Sequence, residues 1–131
     1  MPATDLFRGV HHIAIISSHY DRSRRFYVEI LGLRVVAEIF REARQSHKLD
    51  LALPDGVQIE LFSFPDPPRR PSYPEAAGLR HLALAVHDLD ACLVHLAGHG
   101  ITAEPVRVDE FTGRRFTFIA DPDGLPIELY A

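Results

Sequence analysis

The segment DGVQIELF at 55–62 returns as DGLPIELY at 123–130, and this echo constrains the fold more than any other feature of the chain. The two phrases stand 68 residues apart. Two further matches keep that spacing to within one residue: GVHHIAIIS at 9–17 against GLRHLALAV at 78–86, which sets His12 against His81, and Gly32 against Gly100. Unrelated segments rarely agree at three separated places, so the chain reads as two copies of one module.

Each copy shows the same order of hydrophobic patterns. Phe26, Ile30 and Leu33 at helical spacing, polar starters at Ser18 and Asp21, and Gly32 as a stop predict a helix within 18–33. A second helix is predicted over 87–101, with Asp88 as N-cap, Cys92, Leu93 and Leu96 on one face, and Gly100 beyond its end. β-branched or alternating runs predict strands near 10–16, 33–41, 47–53 and 57–63, then 80–86, 103–109, 115–120 and 125–130. Strand, helix, three strands, twice over, is an α+β plan of two tandem βαβββ modules, at 9–63 and 79–131. Between them FPDPPRRPSYPEAAG, 64–78, holds five of the ten prolines and reads as a stiff, partly extended connector.

At 131 residues, 47% hydrophobic and 24% charged, the sequence is expected to form one globular domain over 1–131 with a real core. A formal net charge of −4 offers no basic surplus for nucleic acid or an anionic membrane. No apolar run approaches the roughly 20 residues that span a bilayer, and MPATDLFRG lacks the pattern of a signal peptide, so a cytoplasmic location is expected. The lone Cys92 excludes an intrachain disulfide and is read as a small apolar packing residue.

Side chains alternate across a strand with period two, and this parity sorts the repeated polar residues. Ile13 and Ile15, like Leu82, Leu84 and Val86, belong to the helix-facing core, which leaves His12 and Ala14, and His81, Ala83 and Ala85, on the opposite face. Val57, Ile59 and Leu61 oppose Gln58, Glu60 and Phe62, while Leu125, Ile127 and Leu129 oppose Glu128 and Tyr130. His11 has the wrong parity and is read as structural. Each module thus presents one His and one Glu on its non-helix face, and two such sheets meeting about a pseudo-twofold axis would bring four ligands together. Singly, each residue is an ordinary strand residue. As a matched set they need a partner for their charge, which one divalent cation, Ni, Co, Mn, Fe or Zn, supplies, its octahedron completed by waters; zinc alone more often takes four ligands.

The phrases HHIAI, RRFYVEILGL, IELF, GLRHLAL and DPDGLPIELY, in this order over nearly the whole chain, resemble the vicinal oxygen chelate superfamily, the group of glyoxalase I, bleomycin resistance proteins and extradiol dioxygenases. The resemblance implies two βαβββ modules forming a U-shaped mixed sheet around a metal cleft, with the helices on the outer face. It implies metal ligands at His12, Glu60, His81 and Glu128. A His, Glu, His, Glu set is most similar to glyoxalase I; ring-cleaving dioxygenases and fosfomycin-resistance enzymes use two His and one Glu, and methylmalonyl-CoA epimerases have Gln at the position of Glu60. Bleomycin-sequestering members lack the set.

The departures are also informative. Bacterial glyoxalase I carries a glutathione-holding Arg four residues after its first metal His and an Asn four residues after its first metal Glu, where this chain has Ile16 and Phe64. That counts against glutathione. Phe62, Phe64 and Tyr130 are expected to line the pocket, suiting an aromatic or apolar substrate body, while Arg80, Arg69 and Arg70 either hold an anionic end or lie on the solvated surface. FTGRRF at 111–116 reads as a hairpin turn at Thr112-Gly113.

A cation with two open positions binds adjacent oxygens, as in a hemithioacetal or an α-hydroxyketone, and stabilises charge formed when a C–H proton leaves. By resemblance, Glu128, with Glu60 as its symmetric counterpart, takes that proton and returns it to the neighbouring carbon. The expected activity is therefore a metal-dependent lyase or isomerase of glyoxalase I type acting on a small molecule. An acyl-CoA-type epimerase, a dioxygenase and a metal-free small-ligand binding protein remain open. A homodimer is expected, because curved sheets leave edge strands that pairing would cover.

Overall fold

The computed structural model describes residues 5–131; residues 1–4, the start of the expected 1–131 domain and of the MPATDLFRG stretch, lie outside the described residues. The chain divides between Pro67 and Pro68, inside the connector, into two compact units.

The first unit runs β1 (His12–Ser17), α1 (Tyr20–Arg24), β2 (Arg34–Arg41), β3 (Ser46–Ala52) and β4 (Gln58–Ser63). Its sheet has the order β1-β4-β3-β2, parallel between β1 and β4 and antiparallel elsewhere. The second unit repeats it with β5 (Leu82–Ala85), α2 (Leu89–Gly98), β6 (Arg107–Val108), β7 (Arg115–Ala120) and β8 (Pro126–Tyr130), ordered β5-β8-β7-β6 with β5 and β8 parallel. The α+β plan of two βαβββ modules, each with a four-stranded mixed sheet, is the fold observed. A parallel first and last strand requires a crossover, and the helix of each module supplies it.

Burial follows the expected parity. Ile15, Leu49, Leu51, Ile59 and Leu61 are buried with Phe26, Tyr27 and Ile30 from the first helical segment and Leu33 just after it, and Ile119, Ile127 and Leu129 with Leu89 and Leu96 of α2. Leu89, adjoining Cys92, Leu93 and Leu96, completes the inward stripe of α2. Asp88 caps this helix as expected, its Oδ1 accepting the Ala91 amide at 3.0 Å. Burial raises the Cys92 thiol above its ordinary value, which suits a packing role.

Three expectations are corrected. The first helix is not one α-helix over 18–33: α1 continues as π-helical turns at Arg25–Ile30, where the Leu31 amide reaches back five residues to the Phe26 carbonyl at 2.9 Å. Its N-cap is neither Ser18 nor Asp21 but His19, extended at φ −139, whose Nδ1 accepts the Arg22 amide at 3.3 Å. The strand expected at 103–109 shrinks to Arg107–Val108. Pro105 has no amide hydrogen, and before the ladder begins the chain meets β7 at Glu104, whose amide donates to the Phe118 carbonyl at 3.0 Å and whose carbonyl accepts from Thr117 Oγ1 at 2.6 Å.

Among the described residues, no helix is long and apolar enough to cross a membrane.

Candidate metal centre

The repeated DG phrases are the turns that launch the two glutamate strands. Gly56 and Gly124 adopt φ +93 and +84, a conformation that costs a β-carbon residue strain, and their amides close tight turns on the Leu53 and Asp121 carbonyls at 3.0 Å. The strand after each turn therefore starts in the same register. On the parallel ladders Glu60 stands opposite Ala14 and Glu128 opposite Ala83. An alanine beside the carboxylate leaves room on that face.

Into this room each module turns one imidazole. In the first unit His12 Nε2 lies 3.5 Å from Glu60 Oε2, with the histidine side chain 41% and the glutamate 15% exposed. In the second, His81 Nε2 lies 3.9 Å from Glu128 Oε1, at 24% and 18% exposure. Two donors bound to one ion at roughly 2.1 Å stand about 3.0–3.5 Å apart for angles between octahedral and tetrahedral. The first pair has that separation, and the second is a few tenths of an ångström wider. The donor chemistry, imidazole nitrogen with carboxylate oxygen, fits a divalent first-row metal. Among the described residues no three His, Cys, Asp or Glu side chains form a metal-holding group, so each module brings together two donors only.

The surroundings of the two pairs differ, although their register is the same. In the first unit β3 sets Asp50 opposite Glu60 and Lys48 opposite Phe62. Lys48 Nζ is 2.7 Å from Asp50 Oδ1 and 3.8 Å from Glu60 Oε1. In the second, β7 sets Phe118 opposite Glu128 and Phe116 opposite Tyr130. The His81 ring packs edge-on against Phe118 with centroids 5.1 Å apart, and Phe116 stacks on Tyr130 at 6.3 Å. One pair thus sits in an ionic setting and the other against an aromatic wall. Sequence reasoning missed Lys48, Asp50, Phe116 and Phe118. The signal was present, since Lys48 and Phe116, like Asp50 and Phe118, are again 68 residues apart.

The remaining expected site residues fall into two groups. Phe62 and Phe64 lie together in the first unit, 6.1 Å between centroids, with the Arg41 guanidinium 4.9 Å from the Phe62 ring centre and 5.8 Å from that of Phe64. Ile16 is exposed on the same strand face as His12. Tyr130 belongs to the second unit's wall. Its hydroxyl donates to Asp109 Oδ2 at 3.0 Å and lies 2.5 Å from Thr112 Oγ1, so the expected hairpin turn, closed by Gly113 N to Asp109 O at 2.7 Å, anchors the ring. The Phe111 amide, and after it the Tyr130 hydroxyl, hold the Asp109 carboxyl below its ordinary range. Arg80 Nη1 is 3.1 Å from His81 Nδ1, whereas Arg69 is exposed and enters no contact with these groups among those observed.

His11 precedes β1 and is exposed, although its parity groups it with the core-facing Ile13 and Ile15. Its Nδ1 lies 2.9 Å from His12 Nδ1, and the rings meet edge to face at 5.2 Å. Such a contact at one ring nitrogen orients the other, here the Nε2 that faces Glu60.

The profile of the Glyoxalase/Bleomycin resistance protein/Dioxygenase superfamily matches residues 9–129. The chain is 59% identical over 123 residues to the uncharacterized protein YaeR of Escherichia coli (strain K12), covering 94% of this chain and 95% of that one. It superposes with a TM-score of 0.89 and 47% identity on the crystal structure of the glyoxalase family protein from Enterococcus faecalis, covering 96% and 99% of the two chains. A more distant relative, 27% identical over 142 residues and covering 92% of this chain and 78% of its own, is a 2-epi-5-epi-valiolone epimerase of Actinomyces sp. With both modules inside the match and the same strand plan in each, the chain belongs to the Glyoxalase/Bleomycin resistance protein/Dioxygenase superfamily.

Proposed function

We propose that His12, Glu60, His81 and Glu128 together hold one divalent metal ion, and that the protein is a metal-dependent lyase or isomerase of glyoxalase I type, moving a proton between carbons of a small oxygen-chelating substrate. The observation that carries this reading is the repeated His–Glu pair, placed opposite an alanine at equivalent register in both modules. When bound, the ion supplies Lewis acidity toward adjacent substrate oxygens. The side chains do the rest. Glu128 accepts the substrate proton on a carboxylate oxygen and returns it to the neighbouring carbon. Glu60, with Lys48 beside it, is the more tethered carboxylate and serves as a fixed ligand. Phe116, Phe118 and Tyr130 exclude water from one side of the reacting carbon.

The epimerase among the relatives supports proton transfer at carbon as the type of chemistry, and the absence of counterparts to the glutathione-holding Arg and Asn argues for a different thiol or none. The test is metal analysis of the pure protein, followed by screening of α-ketoaldehyde–thiol adducts and acyl-CoA epimers for deuterium incorporation from solvent. Stoichiometric metal with deuterium exchange into one substrate class is the expected result. Protein that purifies without metal and binds a small aromatic ligand unchanged would instead make it a binding protein, and oxygen uptake dependent on iron would make it a dioxygenase.

We also propose that the working form is a homodimer. The edge strand β2 leaves Val35, Val36, Ile39 and Phe40 exposed, an apolar edge of the kind that native proteins cover. Sedimentation at micromolar concentration should give twice the chain mass; monomer alone would contradict the assembly.

A further inference from the structure

The second unit contains a pocket of about 170 Å³ whose lining includes Arg70, Arg80, Arg107 and Phe118. Pockets that enclose a whole drug-sized ligand run to roughly 300–1,000 Å³, so this one suits a single end of a molecule. It adjoins the second His–Glu pair through two of its own lining residues. Phe118 carries the His81 ring edge-on at 5.1 Å, and Arg80 Nη1 touches His81 Nδ1 at 3.1 Å.

The three guanidiniums are held in place by different means. Arg70 ties the connector to the entry of β5: its Nε donates to Ser72 Oγ at 3.1 Å, and its Nη2 to the Leu79 and Arg80 carbonyls at 2.8 and 2.9 Å. Arg107 lies over the Phe116 and Phe118 rings at 5.1 and 5.5 Å, and its Nη2 donates to Glu104 Oε1 at 3.1 Å. Arg80 is exposed, and its Nη1 is oriented by the His81 Nδ1 contact. Two carboxylates, Glu75 and Glu104, also line the pocket. Glu104 is committed to Arg107, and the balance of three cations against two anions leaves one positive charge in excess. Each guanidinium has five N–H donors, and the contacts above use only part of them. Arg70 is half-buried while Arg80 and Arg107 are exposed, and guanidiniums with spare donors match the geometry of planar oxyanions.

We infer that this pocket binds the anionic end of the substrate, a carboxylate or phosphate group, with the reacting carbon lying toward His81 and Glu128. The inference rests on the assignment of that pair to the reaction, and it names the substrate class: a small acid or phosphate ester with an apolar body.

Binding to the full-length protein is to be measured calorimetrically with three probes, phenyl phosphate, benzoate and the neutral benzyl alcohol, both metal-loaded and after chelation. An anion should bind at least about tenfold more tightly than benzyl alcohol, because a hydrogen bond to a charged group contributes roughly 1.5–3 kcal/mol. Arg80→Gln and Arg107→Gln should each remove most of that preference while leaving benzyl alcohol affinity unchanged. Whichever anion binds tighter identifies the group as phosphate or carboxylate. Equal affinity for anionic and neutral probes, full anion affinity in both variants, or a loss appearing only in Lys48→Gln would overturn the inference. The chelated protein separates the two readings: a missing metal site leaves the anion preference intact, and a missing anion pocket leaves metal content intact.

Discussion

Glu128→Gln is expected to lower turnover by roughly 10²–10⁴ while the protein keeps its metal, because Gln preserves size and an oxygen donor but cannot accept a proton at neutral pH. The case for Glu128 over Glu60 rests on their neighbours. Glu60 has the Lys48 ammonium 3.8 Å away besides the His12 ring, whereas among the described residues no lysine or arginine pairs with Glu128, which lies near the His81 ring that packs on Phe118. A carboxylate with fewer fixed partners is better placed to leave one and serve as base. Glu60→Gln should accordingly slow the reaction less. Wild-type turnover by metal-bound Glu128→Gln would transfer the role to Glu60, and full activity in both single variants would refute proton transfer altogether.

His81→Ala is expected to abolish tight metal binding, an effect larger than the roughly 10–100-fold loss that follows removal of a group merely supporting a ligand. Three donors would remain, and the charge of the two carboxylates would be less well compensated. Metal content of the dialysed variant, measured beside its circular dichroism, decides the matter. Undiminished metal in folded His81→Ala protein would remove His81, and with it the four-ligand set, from the assignment. The side chain is 24% exposed and lies outside the fully buried core, so truncation should leave the fold intact.

Much of the architecture is legible in the sequence because the repeat tests each expectation twice. Strand parity is the most dependable part: a period of two leaves no intermediate choice, so once Ile59 and Ile127 are assigned inward, Glu60 and Glu128 must face the other way, as they do. The π-helical turns at Arg25–Ile30 are not legible. Reaching back five residues instead of four buries the same Phe26, Tyr27 and Ile30, so the apolar spacing does not distinguish the two geometries. The shortness of β6 depends on one missing amide at Pro105, which an alternating pattern conceals. The settings of the two pairs are written in β3 and β7, yet they emerge only when the ladders show that Lys48 and Asp50, Phe116 and Phe118, flank the glutamate strands.

That difference between β3 and β7 bears on how such a protein diversifies. Where the two modules agree, at Ala14 and Ala83 or at the turn glycines Gly56 and Gly124, backbone geometry leaves few alternatives. Where they part, at Lys48 and Phe116 or Asp50 and Phe118, the side chains lie on the face away from the packed helix, and exchanging them leaves the core of either module intact. A doubled scaffold therefore lets the side chains beside one His–Glu pair differ from those beside the other while the strand register and turns of both modules stay the same.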